Sequence, residues 1–337
     1  MTSIEAHEYY MIEEETLNIY ISKVDTTGCT ISAAKKIGAT KQLISSYINY
    51  NLEEIKPRNK YINVHVFARS QSQYLFTKSS KNPKKHVLDD MELLKWWKKV
   101  LEQTFTDSNK QNIKKWYYIP GDAVESKARS LIKKDNDNWI YGYPYNNESK
   151  VDDVIPKFDD DAKARWLDHL NDNNENDESD NINVKDFWEM VSIGGEFSGG
   201  KIAGFFWVNI EGSKSENLKS EGYETTLLEN LKKNVGGITF DEQEFIKILQ
   251  KFFELEFYDD DVALKSSKDW SKIFEDFCAQ KGINDGVLEF VVEQPQEIES
   301  NDGGGTNLQS NLYKRKPAEN NEKVNVLSPS LIKRVKK

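Results

Sequence analysis

The residues with chemical potential in this chain are lysines, adjacent tryptophans and aspartates, and they are concentrated. Lys78, Lys81, Lys84, Lys85 and His86 stand in one short stretch, interleaved with Ser79, Ser80 and Asn82. Cationic and neutral donors set this close suit one compact anionic ligand, and equally a solvated surface turn. Trp96 and Trp97 follow, with Leu93, Leu94, Val100, Leu101 and Phe105 on the same broad helical face. Asp159, Asp160 and Asp161 are contiguous. Such carboxylates can accept a proton, or can simply cap a helix or sit in a turn. The only cysteines are Cys29 and Cys278, beside four histidines, so neither a disulfide framework nor a zinc cluster is available. Cys278 shares a helical face with Trp270, Ile273, Phe274 and Phe277, which makes it a core residue rather than a nucleophile.

The elements that must position these groups can be read from periodicity. Ile62, Val64 and Val66 alternate with Asn63, His65 and Phe67, predicting a strand over 61–68. Asp89 with Glu92 predicts a capping box and a helix through the tryptophans. Strand, lysine loop and helix entrance together would suit a phosphorylated ligand. Thr16–Val24 reads as an earlier strand with Ile19 and Ile21 on one face, ended by the DTTG turn; a helix follows through Ile44, Ile48 and Tyr50. Residues 51–60 read as a polar link and WYYIPGD at 116–122 as a turn. The aromatic run at 137–146 suits a protein-binding surface or a covering loop. A helix entered through the aspartates should turn Ala164, Leu167, His169 and Leu170 inward. Residues 171–183 carry five acids, no base and one apolar side chain, and read as a disordered acidic insertion. KIAGFFWVNI at 201–210 predicts a buried strand, and Thr239 with Glu242 a cap for a helix through Phe245, Leu249, Phe252 and Phe253.

With 337 residues, 37% hydrophobic and 30% charged, the chain is long enough for a large core diluted by polar segments. No run of eighteen apolar residues and no basic-then-apolar leader after Met1 is present, so neither a membrane span nor secretion is expected. The net charge of −10 hides an asymmetry: Leu312–Lys337 carries eight Lys or Arg against two Glu, leaving −16 on the rest. An acidic body suits a basic protein partner more than sequence-specific nucleic acid. The cationic tail after Gly303–Gly305 suits an acidic chaperone, a nuclear import receptor or nucleic acid.

QYLF, SSKNPKKHVL and LLKWW, in this order and spacing, resemble the most recognisable block of the fungal histone H3 acetyltransferases that act on the lysine at position fifty-six. SKVDTTG at 22–28, IPGD followed by Arg129 and Trp139, DDAKARW at 160–166, TNLQS and the closing LIKRVKK are also similar to that family. The resemblance implies an α/β fold with a mixed central sheet flanked by helices, of the CBP-type or GNAT-like acetyltransferase kind. It implies one catalytic domain over 1–297 and a flexible basic tail over 298–337. It implies acetyl-coenzyme A as cofactor, and histone H3 in its complex with H4 as substrate. Chaperones of the NAP and anti-silencing-function families are the implied partners, and the nucleus the location, with roles in genome stability and transcription.

Residue by residue, the resemblance makes Asp161 the proton acceptor, Asp160 its neighbour and Asp25 an aspartate needed for activity. Asp25 and Asp160 would hold Lys163, the lysine acetylated on the enzyme itself; Trp97 and Tyr74 would form the lysine tunnel. Val24, Thr26, Ser32, Ala33, Ala34, Lys35, Lys36, Phe67, Arg69, Gln71, His86, Val87, Leu88 and Trp96 fall on the acetyl-coenzyme A site. Ala162 stands where the family has proline, and the family's longer insertion near 51–60 and its segment ahead of the first strand have no counterpart here. A pared-down or truncated member is therefore expected, and a catalytically reduced histone- or chaperone-binding protein of the same fold is the alternative.

Overall fold

The computed structural model describes residues 1–11, 14–29, 38–55, 61–105, 112–121, 138–173, 182–193, 202–211 and 240–281. All lie within Met1–Gln294, the first of two units of the chain. Six strands form one mixed sheet in the order β1-β2-β3-β6-β4-β5. The strands are β1 (Thr2–Met11), β2 (Thr16–Thr26), β3 (Tyr61–Arg69), β4 (Ile113–Tyr118), β5 (Trp139–Tyr141) and β6 (Ala203–Glu211). The helices are α1 (Ala39–Ile55), α2 (Asp90–Thr104), α3 (Val151–Val154), α4 (Ala162–Asn173), α5 (Val184–Ile193), α6 (Glu242–Phe253) and α7 (Asp260–Gln280).

The apolar run of β6 makes it a central strand, covered on both faces. Phe206, Val208 and Ile210 join Leu17, Ile19, Ile21, Val64 and Val66 under α1 and α2. Phe205 and Trp207 join Phe187, Trp188 and Val191 of α5 and Leu167 of α4 on the other face. Each fully buried side chain of this size stabilises by about 1.5–3 kcal/mol. α2 seats close against the sheet because Gly204 has no side chain: a Cβ there would meet Leu94 Cδ2 at 2.3 Å. A third cluster joins Leu75 and Phe76 to Phe252, Phe257 and Ala263 of the α6–α7 pair.

The feature that makes a site is a break in pairing. β2 and β3 run parallel and pair only from Thr16↔Tyr61 to Ile21↔Val66. Beyond that point β2 stays with β1 as far as Thr2↔Thr26, while β3 stays with β6 as far as Arg69↔Ala203. The carboxyl ends of two neighbouring parallel strands thus splay apart, the place where open α/β sheets hold ligands.

Several local expectations need correcting. Regular structure begins at Thr2, in a strand the sequence reading did not pick out. Residues 51–55 continue α1 because Leu52 is buried one turn after Ile48 and Asn51 Nδ2 donates to the Tyr47 carbonyl at 3.2 Å. Trp116, Tyr117 and Tyr118 are strand, paired with β6, and only Pro120–Gly121 form the break. Of the two readings of the aromatic run at 137–146, its described part fits the covering loop: Tyr143 stacks on Trp188 at 5.4 Å and Tyr145 meets Trp207, while Ile140 is exposed. The cap of α6 is Asp241 with Glu244, two residues beyond the predicted pair, and Phe245 is 51% exposed while Ile248 and Phe252 face the core. α4 runs to Asn173 and residues 182–183 are placed, so of the acidic insertion only 174–181 lies outside the described residues. The side chains of His169 and Leu170 also lie outside them.

Candidate functional site

A cleft of about 260 Å³ opens where β2 and β3 part. One wall is the end of β2, Ser22 to Thr26; the other is the end of β3 with Ser70 and Gln71. Lys85 to Leu88 and the α2 residues Leu93, Trp96 and Trp97 close it, together with Tyr74 and Thr40. The predicted cofactor residues Val24, Thr26, Phe67, Arg69, Gln71, His86, Val87, Leu88 and Trp96 all line this one cleft, as do Asp25, Tyr74 and Trp97. Ser32, Ala33, Ala34, Lys35 and Lys36 lie outside the described residues.

α2 presents its tryptophans because its start is fixed as the sequence predicted: Asp89 accepts from the Glu92 N–H and Glu92 from the Asp89 N–H. Trp96 and Trp97 meet edge to face at 5.1 Å. The turn carrying Tyr74 is organised by Asp25. Its Oδ2 accepts the backbone N–H groups of Tyr74 at 2.8 Å, Leu75 at 2.9 Å and Phe76 at 3.2 Å. Its Oδ1 accepts Thr26 N–H at 2.8 Å and Lys85 Nζ at 2.6 Å. Lys85 also donates to Ser79 Oγ at 2.7 Å. Gly28, at φ +83°, lets the chain pass against Lys85, whose Cα, Cβ and N would all lie 2.7 Å from a Cβ at that position. Burial chiefly, then Asp25 and Asp90, raise the Tyr74 phenol well above its ordinary pKa against the opposing pull of Arg69, so it stays protonated. Its hydroxyl donates to the Arg69 carbonyl.

Two expectations about charge are overturned. The lysine-rich turn is not a free anion cradle: Lys78 pairs with Glu256, Lys84 with Asp260 and Lys85 with Asp25. With Phe257 N–H donating to the Thr77 carbonyl at 2.9 Å, the first two pairs tie the turn to the α6–α7 connection and the start of α7, and the third ties it to β2. Nor do Asp25 and Asp160 hold Lys163. Asp25 is saturated by the turn, Asp160 pairs with Lys23 at 2.7 Å and Arg165 at 2.9 Å, and Lys163 pairs with Asp161. Asp160, Asp161 and Lys163 are not among the residues lining the cleft. Asp161 is wholly buried, accepting Lys163 N–H at 3.0 Å as well as its ammonium. The Lys163 ammonium lies 5.5–5.8 Å from the rings of Tyr20, Phe158 and Phe205. Phe205 stacks at 4.9 Å on Phe67, which lines the cleft, so the pair sits one ring layer behind it. Asp161 thus has no direct contact with the cleft in this structure. His65, close by, has its pKa pushed down to about 3 by burial and then by the Lys163 charge.

Ser22, Lys23 and Thr40 line the cleft without having been singled out as site residues. Two of them stand inside a string the sequence reading used, SKVDTTG, but their partners are remote in sequence and left no local signal.

No described helix is long and apolar enough to cross a membrane. Among known proteins, histone acetyltransferase rtt109 of Aspergillus flavus is 28% identical over 235 residues, 57% of this chain and 42% of the relative. The protein of that name from Schizosaccharomyces pombe is 30% identical over 207 residues, 57% of this chain and 52% of the relative. The chain thus spans about half the length of these curated relatives. A crystal structure of Rtt109 from Aspergillus fumigatus matches with a TM-score of 0.59 at 22% identity, covering 83% of this chain and 79% of that one, which shows a shared fold. The histone acetyltransferase KAT11-type domain matches residues 51–273, well over half of the chain, and takes in β3, α2 and the far wall of the cleft; the chain belongs to the KAT11-type histone acetyltransferase family.

Proposed function

We propose that this chain transfers an acetyl group from acetyl-coenzyme A to lysine side chains of histone H3, chiefly the lysine at position fifty-six and also those of the N-terminal tail. The observation that carries this reading is the gap between the parallel ends of β2 and β3, lined by the residues expected to hold the cofactor. The cofactor would supply the activated acetyl thioester. Phe67, Val87, Leu88 and Trp96 offer apolar walls to its pantetheine arm, and Arg69 and His86 are the donors within reach of its charged end. Trp97, 5% exposed, and Tyr74 wall the approach of a lysine stem.

A lysine with pKa near 10.4 is neutral on the order of once in a thousand at neutral pH. Among the described residues, Asp25, Asp160 and Asp161 are all engaged by lysine, arginine or backbone donors. In our reading the incoming ammonium loses its proton to solvent, and the protein contributes alignment of the neutral amine. Lys163 is the residue acetylated on the enzyme itself; its ammonium is enclosed, so that modification needs a transient opening of α4, and the ring box then accepts the uncharged product. Histone chaperones of the NAP and anti-silencing-function families, and a nuclear location, fit the acidic body and basic tail.

Purified chain, acetyl-coenzyme A and the H3–H4 complex with chaperone should give acetylated H3, with kcat/KM rising with pH up to the substrate lysine's own pKa. A plateau near neutrality would restore an enzymic base. Calorimetric binding of acetyl-coenzyme A without transfer would favour the catalytically reduced binding protein, and no binding at all would remove the acetyltransferase reading.

A further inference from the structure

Beyond Ile21↔Val66 the two walls of the cleft are paired on their outer sides only, β2 with β1 and β3 with β6, and besides the contacts of Asp25 the described segment 158–163 touches both sides. Phe158 packs on Tyr9 at 5.0 Å and Tyr20 at 4.9 Å, both on the β1–β2 side. Tyr9 Oη accepts the Asp159 N–H at 2.9 Å. A few residues on, Lys163 lies against Phe205 of β6. Between these anchors stands Asp160, at φ +54°, a left-handed conformation that a non-glycine residue keeps only when its surroundings hold it there.

What holds Asp160 on the β2 side is Lys23. Its ammonium, with the side chain 17% exposed, sits 2.7 Å from Asp160 Oδ2 and 2.5 Å from Glu5 Oε1; Glu5 also accepts from Ser22 Oγ at 2.8 Å. Lys23 and Ser22 line the cleft, whereas Glu5 and Asp160 do not. Burial would favour the neutral amine, but Glu5 and Asp160 outweigh it and keep Lys23 charged. His7 and Lys23 likewise hold the Glu5 carboxyl down at about 2 although burial alone would raise it.

We propose that Lys23 is a positioning residue whose bridge from Glu5 to Asp160 latches the segment before α4 onto β2 and so fixes the width of the cleft where the acceptor lysine enters. The Lys23 ammonium is committed to Glu5 and Asp160, neither of which lines the cleft, so the latch is assigned to capture of the acceptor and not of the cofactor. This rests on the acetyltransferase reading for its kinetic part only.

The test compares Lys23→Met, Lys23→Arg and Glu5→Gln in the full chain, with acetyl-coenzyme A and a lysine-bearing H3 peptide. Lys23→Met should raise the peptide KM about tenfold, equivalent to about 1.4 kcal/mol, while the Kd for acetyl-coenzyme A stays unchanged. Lys23→Arg should recover most of the loss, and Glu5→Gln should fall between. Equal losses for peptide and cofactor, or no rescue by arginine, would overturn the latch. Amide hydrogen exchange over 158–163 reads it without catalysis: exchange should quicken in Lys23→Met and stay at the parental rate in Lys23→Arg. Unchanged exchange in Lys23→Met would sink the latch even in an active enzyme. A parental chain that neither binds nor uses acetyl-coenzyme A, yet shows the exchange response, would sink the enzymatic reading and leave the latch standing.

Discussion

Among the described residues, two buried aspartate–lysine pairs have nearly equal enclosure, and they do different work. Asp25 and Lys85 have side chains 5% and 6% exposed; Asp161 and Lys163, 0% and 3%. Asp25 is embedded in backbone: four amide groups point at its oxygens besides the ammonium. It is a scaffold for the turn that delivers Tyr74 to the cleft. Lys163 is embedded in rings, with Asp161 as a carboxylate partner. What neutralises a buried charge thus decides whether the site is a strut or a group whose charge can change: amides remain if the lysine goes, whereas rings compensate an ammonium only weakly.

The sharpest way to break this contrast is Asp161→Asn. It leaves the ammonium among aromatic rings and should cost roughly 3–5 kcal/mol in urea unfolding, with Lys163→Met in the same chain recovering most of the loss. Lys85→Met should cost less, about 1–3 kcal/mol, because the amides still satisfy Asp25. If Lys85→Met proves the costlier change, the distinction between the pairs is wrong.

A third test sharpens the contrast through pH. His65 titrates near 6.5 when unfolded and at about 3 when folded, so the unfolded chain binds more protons between those values. Its contribution to stability is fully present above pH 6.5 and is lost as pH falls toward 3, by up to about 1.4 kcal/mol per pH unit. Thermal melts of His65→Asn should show a flatter acid limb, and Lys163→Met, which removes the neighbouring charge, should flatten it in part. An unaltered limb in His65→Asn would assign the acid sensitivity elsewhere. The smallest effects belong to the exposed ends of the turn. Lys78→Ala and Lys84→Ala should leave the affinity for acetyl-coenzyme A unchanged by calorimetry, since both ammonium groups face α6–α7 carboxylates. A marked loss would return them to the phosphate site.

Local signals were legible where a residue's partner lies within a turn or along one strand. Asp89 with Glu92 set the start of α2, the alternation over 61–68 set β3, and the run FFWV set a strand buried on both faces. The strand at Thr2–Met11 was not legible, because its half-exposed, mixed residues alternate weakly and it is held by pairing with β2. The cap of α6 was displaced because two acidic-polar pairs two residues apart compete for one helix start, and the core contacts of Ile248 and Phe252 decide between them.

The sequence by itself determined which stretches come together: the strings from SKVDTTG through LLKWW carry the residues of one cleft, and their family is readable in them. Only the tertiary structure decided which charge answers which. Asp25 meets Lys85 across sixty positions of chain, Lys23 of β2 meets Asp160 of the segment before α4, and Asp161 turns away from the cleft to its own neighbour Lys163. The physical reason is range: periodicity and capping act over a few residues, whereas an ion pair depends on strand order and on where two strands part, which no short window of sequence contains.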